Sequence, residues 1–372
     1  MKTRILLSAA AAAALGLAGI SSAEHHESEK HSESGGAAPL IEKENDPRPL
    51  SKQADKAARE AGADAERPAE IDGEIFHAQV LLDRAGFSPG VIDGLAGISF
   101  ESALEGFQEA RGLEITGELD KATREALLEN RVKATLRLEI DEGDAEGPFV
   151  RKIPDDPAEQ AEMERLAYRN LLEKLSEKFH TTPDSIVALN DPKTVLEAGT
   201  VLRLPNVLPR SRDHGDAEGK VAQLLSDLNV DPDQPKAKRV VVDKSDKVVR
   251  IIGDDDRLVA QFPATLGSDR DPLPLGDWRV NAVAWFPPFE YQPKLFWDVP
   301  DDAEQQLLPP GPNGPVGIVW IDISKEHLGL HGTNAPETIK RAESHGCVRM
   351  TNWDAARAAL MVDEGTEVVF QA

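Results

Sequence analysis

The chain has one cysteine in 372 residues, so no disulfide can form within it and its fold must rest on packed cores. Long hydrophobic runs are also missing. The longest, Ile5 to Ile20, falls short of the roughly 20 residues that span a bilayer. It follows Lys2 and Arg4 and precedes Ser21-Ser22-Ala23, the order of a secretory signal peptide cut before Glu24. Residues 1–23 are therefore read as a signal peptide, and the mature protein as exported, with no integral membrane segment. Basic residues are in deficit, 42 Lys and Arg against 66 Asp and Glu, for a net charge of -24. That balance disfavours nucleic acid and anionic membrane surfaces as partners. Pro and Gly, at 26 and 28 residues, are too few for a low-complexity chain.

Removing 23 residues from 372 leaves 349, more than one hydrophobic core organises, so two or three domains are expected. Residues 24–70 are polar and acidic and read as a disordered tether, with a transient helix near Ala54 to Ala61. His25, His26 and His31 are solvated residues of that tether on this reading. From Ile75 to Asn130 the apolar residues Ala78, Leu81 and Leu82, then Ala103, Leu104 and Phe107, then Leu119, Ala122, Ala126 and Leu127 recur at helical spacing. Three short helices are expected, joined by loops with Gly where positive φ is needed and Asp where a helix can be capped.

Gly86, Phe87, Gly90, Asp93, Gly94, Phe107, Gln108, Gly117, Asp120 and Thr123 stand on the pattern of the peptidoglycan-binding type 1 module, which residues 71–131 resemble. The resemblance implies contact with the cell wall, with Asp93, Gly94, Phe107 and Gln108 as its marked positions. Ile98-Ser99-Phe100 departs from a polar Pro-x-Thr common there. In the next segment "ATLRLEI" alternates like a strand, "EQAEMERLAYRNLLEKLSEKF" reads as one helix, and "TPDSIVALN" starts another with Thr182 as cap and Pro183 at its first position. Phe179, Thr182, Ile186, Leu189, Asn190, Gly199, Leu202 and Pro205 give residues 135–208 a likeness to the LysM module, a glycan reader. Residues 209–238 are Pro-, Asp- and Lys-rich and read as a linker. From Arg239 strands alternate with turns, and a short helix is expected at Asn352 to Met361.

The lone thiol lies in "HGTNAPETIKRAESHGCVRM", His331 to Met350. In an oxidising compartment Cys347 is an inert buried group, a link to another chain, or a nucleophile. A thiol that attacks a carbonyl must be partly thiolate, and a neighbouring imidazole achieves this by accepting its proton. His331 ends a predicted strand sixteen positions earlier, and the loop between is long enough to return, so His331 is favoured as general base over His345. Gly346 lets the backbone bring its own amide and that of Cys347 close to a developing oxyanion. Arg349 suits a substrate carboxylate, or else a salt bridge to Asp354 or Glu343.

His331, Gly332, Thr333, Asn334, Pro336, Ile339, Ser344, His345, Gly346, Cys347, Val348, Arg349 and Met350 follow the His then Ser/Thr-His-Gly-Cys signature, and residues 239–372 resemble the L,D-transpeptidase catalytic domain, also called YkuD. The resemblance implies that Cys347 attacks the third residue of a peptidoglycan tetrapeptide stem, meso-diaminopimelate or another diamino acid, and releases D-alanine. His331 would move the proton, the Gly332 carbonyl would orient its ring, and backbone amides at His345, Gly346 and Cys347 would hold the oxyanion. Ser344, Asn334, Thr333 and Arg349 are the substrate-binding candidates, and carbapenems would acylate the same thiol. An amine then resolves the thioester, from a second stem or from an outer-membrane protein. The periplasm of a Gram-negative cell is the expected place. Lys340 stands where a Gly is common, and the segment between Ala284 and Gly317 is long. The expected fold is multidomain α+β: a three-helix module, a LysM-like α/β module and a C-terminal mostly-β L,D-transpeptidase sandwich. No cofactor or metal is expected; the competing zinc reading uses His327, His331, His345 and Cys347. Two functional alternatives stand beside it, an L,D-carboxypeptidase or cross-link hydrolase, and a non-catalytic peptidoglycan-binding scaffold.

Overall fold

The computed structural model describes residues 41–42, 48–60, 71–211, 213, 217, 219–296, 299–300 and 302–372. The signal peptide and His25, His26 and His31 lie outside these. Part of the expected tether does not: β1 (Ile41–Glu42) pairs antiparallel with residues 149–150, and α1 (Leu50–Glu60) buries Leu50 and Ala54. Leu50 and Ala54 join a core with Phe179 and Ile186. Composition alone hid this docking, because two apolar side chains on an otherwise charged helix carry it.

The three helices expected next are present as α2 (Gly73–Ala85), α3 (Ile98–Arg111) and α4 (Lys121–Leu128). Their ends follow local chemistry: the Asp72 carboxylate accepts from the amides of Glu74 and Ile75, Asp120 accepts from Thr123, and Gly86 leaves α2 at φ +89°. The module is not a free bead, since Phe87, Leu104 and Phe107 share a core with Val241, Ile252 and Leu258 of the C-terminal region. Gln261 Nε2 donates to the Ser102 carbonyl at 2.6 Å, and the Gln261 amide side chain fills the space beside Gly106, where a Cβ would meet Nε2 at 2.7 Å.

The middle segment runs β2 (Thr135–Glu139), α5 (Glu142–Ala145), β3 (Phe149–Val150), α6 (Pro157–Ala161), α7 (Leu171–Lys178), α8 (Pro183–Leu189) and β4 (Val201–Pro205). β2 and β4 pair antiparallel, Thr135 opposite Pro205, and the Thr182 hydroxyl caps α8 with Pro183 behind it. The single helix expected before Phe179 is instead broken. Met163, Leu166 and Ala167 turn away to pack on Leu308, with the Leu166 amide donating to Pro310 and the Asn170 side chain starting α7 afresh. Tertiary burial of these apolar residues outweighs the helical preference of the charged ones around them. The expected linker also needs correction. Within it α9 (Lys220–Asp227) places Leu224, Leu225, Leu228 and Val230 in the main core.

The C-terminal region runs β5 (Arg239–Asp243), β6 (Val248–Ile252), β7 (Leu258–Pro263), β8 (Thr265–Leu266), β9 (Gly276–Trp285), β10 (Phe289–Tyr291), β11 (Gln306–Leu308), β12 (Val319–Ile323), β13 (Gly329–His331), β14 (Val348–Arg349), α10 (Asn352–Met361) and β15 (Glu367–Gln371). Nine strands join in the order β7-β6-β5-β15-β9-β12-β13-β14-β8. β7 and β8 stand at opposite edges, yet only Ala264 separates them in the chain. The sheet therefore curls until its edges meet, giving the two facing layers of a sandwich. The fully buried Trp353 of α10 joins the core that includes Val249, Ile321 and Phe370.

Candidate active site

β13 and β14 are parallel neighbours, with Leu330 opposite Val348 and His331 opposite Arg349. Partners across a parallel ladder point the same way, so His331 and Arg349 share one face of the sheet, and Cys347 immediately precedes β14. The sequence makes this possible through the turn before Cys347: Gly346 sits at φ +99°, and the Ser344 hydroxyl donates to the Cys347 carbonyl at 2.7 Å. A side chain at position 346 would be strained there whatever the space.

The His331 ring is buried and stacks on Trp320, centroids 5.5 Å apart. Its Nδ1 lies 2.7 Å from the Gly332 carbonyl, an acceptor only, so Nδ1 carries the proton and Nε2 keeps a lone pair. Burial first, then the charge of Arg349, lowers the His331 pKa to about 3, against the Gly332 bond, which raises it. The ring is thus neutral at physiological pH and can accept a proton. Burial pushes the partly exposed Cys347 thiol above its usual value, while a backbone hydrogen bond at Gly329 and the Arg349 charge pull the other way. Its Sγ donates to the His327 carbonyl at 3.8 Å, and among the described residues no hydrogen bond joins it to His331. Attack through this pair therefore requires the thiol to leave His327 and turn toward the ring.

The other predicted positions divide. Among the described residues the amides of Gly346 and Cys347 have no backbone partner, as an oxyanion site requires. Arg349 is half-buried and its Nε has no hydrogen bond, whereas Asp354 pairs with Arg357 at 3.4 Å instead. The salt-bridge alternative for Arg349 with Asp354 is thereby replaced. His345 packs edge-on to Phe296, centroids 5.0 Å apart. Ser344 is committed to the turn, and the buried Thr333 hydroxyl accepts from the Ala335 amide at 3.2 Å, so both shape loops rather than face substrate. Asn334 lines a different cavity of about 300 Å3, with Asp93, Tyr168, Glu177 and Glu337.

In the helical module Phe107 and Gln108 are 1% and 0% exposed, too enclosed to touch a ligand. Gln108 instead closes a loop, accepting from the amides of Thr116 and Gly117 and donating to Thr123. Gly94, at φ +75°, shapes the turn, with its amide held by Gln79. Among the described residues no cluster of three or more His, Cys, Asp or Glu is set to hold a metal ion. Lys340, unexpectedly, takes the left-handed region at φ +68° and reaches the Ser102 hydroxyl of α3.

Residues 237–370 match the YkuD family, described as the L,D-transpeptidase catalytic domain. The chain carries an L,D-transpeptidase catalytic domain. Residues 72–127 match the family described as "Putative peptidoglycan binding domain". Both fall where the motifs lie, and the segment with LysM-like features is outside either match. A Bacillus licheniformis protein named "Putative L,D-transpeptidase YkuD" is 32% identical over 130 residues, 35% of this chain and 63% of its own length. Its Bacillus subtilis namesake is 49% identical over 57 residues, 15% of this chain and 35% of its own. The matches thus span less than two thirds of either relative. An L,D-transpeptidase structure from Mycobacterium smegmatis aligns over 36% of this chain and 58% of its own, with 21% identity and a TM-score of 0.30.

Asn352, which the sequence reading passed over, abuts Gly332 beside His331, and Glu177 stands behind it as its hydrogen-bond partner. Asn352 is fully buried at the start of α10, with its amide against Gly332. Its one sequence signal is the capping residue Thr351 just before it.

Proposed function

We propose that this protein is a cysteine-dependent L,D-transpeptidase of the cell wall. One observation carries the reading: the Gly332 carbonyl holds the Nδ1 proton of His331, leaving Nε2 as a base at the end of β13, beside the strand that Cys347 leads into. The resting pair is neutral thiol and neutral imidazole. The Cys347 proton passes to His331 Nε2 as sulfur attacks the carbonyl of the third stem residue, a diamino acid such as meso-diaminopimelate. The amides of Gly346 and Cys347, with that of His345 beside them, receive the oxyanion. Collapse forms the thioester and breaks the C–N bond to D-alanine, whose amine takes the proton back from His331. An amine then attacks the thioester, the C–S bond breaks, and the proton it loses returns to sulfur through His331.

Arg349 is placed for a stem carboxylate. Burial is the main cause of the low His331 pKa and the Arg349 charge the second; binding that anion would mask the second. The matched peptidoglycan-binding module, docked on β5 to β7, favours a wall polymer as substrate. The signal-like start favours export, and the periplasm of a Gram-negative cell is the proposed place. A second stem is the proposed acceptor; a protein amine and water are the competing ones, and carbapenems are proposed acylating agents of Cys347. The test is incubation with a purified disaccharide-tetrapeptide. A cross-linked dimer lacking one D-alanine, absent for Cys347→Ala, supports the transpeptidase. Monomeric tripeptide alone would make it a carboxypeptidase, and no turnover would leave a binding scaffold.

A further inference from the structure

Gly332 fixes the tautomer of His331, and the Asn352 side chain fixes Gly332. A Cβ at Gly332 or at Gly317 would each fall 2.0 Å from Asn352 Oδ1. The two glycines therefore form a slot, and the Asn352 carboxamide fills it. Its orientation is set at both ends. Oδ1 accepts from the Ile318 amide at 3.3 Å, and Nδ2 donates to the Pro312 carbonyl at 3.3 Å and to Glu177 Oε1 at 2.5 Å. Glu177 belongs to α7 of the middle segment and also accepts from the Tyr168 phenol. Four chain segments thus meet at one amide, which abuts the peptide whose oxygen holds the histidine.

We propose that Asn352 and Glu177 are positioning residues for His331, with the α7 carboxyl orienting the Asn352 amide and that amide holding the Gly332 carbonyl on Nδ1. The proposal rests on His331 being the base. A free Gly332 peptide would let its carbonyl swing off the ring. The imidazole would then sample the tautomer with the proton on Nε2, which cannot accept one from the thiol. The middle segment would in this way share in catalysis without touching substrate.

The test uses the full chain with 15N-labelled histidine, and Asn352→Ala, Glu177→Ala and Glu177→Gln. The wild type should show one His331 tautomer, with the proton on Nδ1. Asn352→Ala and Glu177→Ala should show mixed tautomers and lose kcat by roughly 10- to 100-fold, the size of effect seen when a metal-ligating histidine loses its outer partner, with KM unchanged. Glu177→Gln, whose amide oxygen still accepts from Asn352, should restore both signals. Should Asn352→Ala not fold, the Glu177 pair, on the wall of the cavity, decides the matter. An unchanged single tautomer in Glu177→Ala with wild-type kcat overturns the proposal. The tautomer spectrum needs no turnover, so it is read even if the chain proves inactive on stems.

Discussion

Arg357→Met should uncouple the α2–α4 module from α10. Arg357 of α10 donates to both oxygens of Asp83 of α2, at 2.9 and 2.8 Å, and to Asp354 at 3.4 Å. His180 Nδ1 lies 3.2 Å from both Asp83 oxygens, its Nε2 lies 2.7 Å from the Leu228 carbonyl, and its ring stacks on Trp353. The side chains of Asp83 and Asp354 are 0% exposed and that of Arg357 is 7% exposed. Methionine keeps much of the volume but leaves the buried Asp83 carboxylate with the His180 imidazole alone, and the buried Asp354 carboxylate without its cation. Breaking a buried pair in this way costs about 3–5 kcal/mol. Protonation of Asp83 caps that cost. From an ordinary value of 3.8, neutralising it at pH 7 takes about 4 kcal/mol, and at pH 5 about 2 kcal/mol, at 1.4 kcal/mol per pH unit.

The sign follows from the wild type, in which Arg357 and His180 hold the Asp83 carboxyl well below its usual range against the opposing effect of burial. That contribution is present above pH 3.8 and lost as pH falls through the native value. The variant reverses the shift, so its deficit is largest at high pH and shrinks on acidification. Urea unfolding of the full chain, followed through its tryptophans at pH 7 and pH 5, measures both numbers. A deficit below about 1 kcal/mol at pH 7, or one that does not change with pH, would refute the buried network as a clamp.

Three further outcomes are expected. Gly346→Ala should cost about 1–2 kcal/mol from its φ of +99°, and it should lose acylation more than stability, because the turn aims two amides; equal acylation rates would sink that role. Arg349→Ala should raise KM for a stem with a free carboxylate and leave KM for its amidated form unchanged. Steady-state kinetics on the two substrates compare them, and equal effects on both would remove Arg349 from substrate recognition. With the His331 pKa near 3, kcat/KM for acylation should stay flat between pH 7 and pH 5, whereas an ordinary imidazole would lose roughly 20-fold.

What the sequence revealed is what local chemistry decides. α10 falls at Asn352–Met361 as expected, because Thr351 caps it and its apolar residues repeat at helical spacing. β9 and β13 follow from alternation and bounding turns, and the His331, Gly346 and Cys347 positions from a motif with a chemical reason. What stayed hidden is decided by distant contacts. Leu50 looks like an isolated apolar residue in a charged stretch until its partners arrive, and Leu224, Leu225 and Leu228, though at helical spacing, are flanked by Asp- and Pro-rich sequence that reads as a linker. The break before α7 comes from packing on Leu308, more than a hundred residues on. Nothing local in the sequence marks Asp83, Glu177 and Asn352 as enclosed polar groups. Lys340 occupies a glycine's conformation because its amine reaches α3, a contact between two segments that the sequence presents as separate modules.

In the proposed reaction the sulfur of Cys347 becomes acylated by a peptide carbonyl through His331. Intact-protein mass spectrometry, after rapid mixing with a disaccharide-tetrapeptide and acid quench, tests it most directly. A covalent gain equal to the disaccharide-tripeptide acyl group is expected, mapped to Cys347, absent in Cys347→Ala and strongly slowed in His331→Ala. An adduct on another residue, or equal acylation without His331, would contradict it.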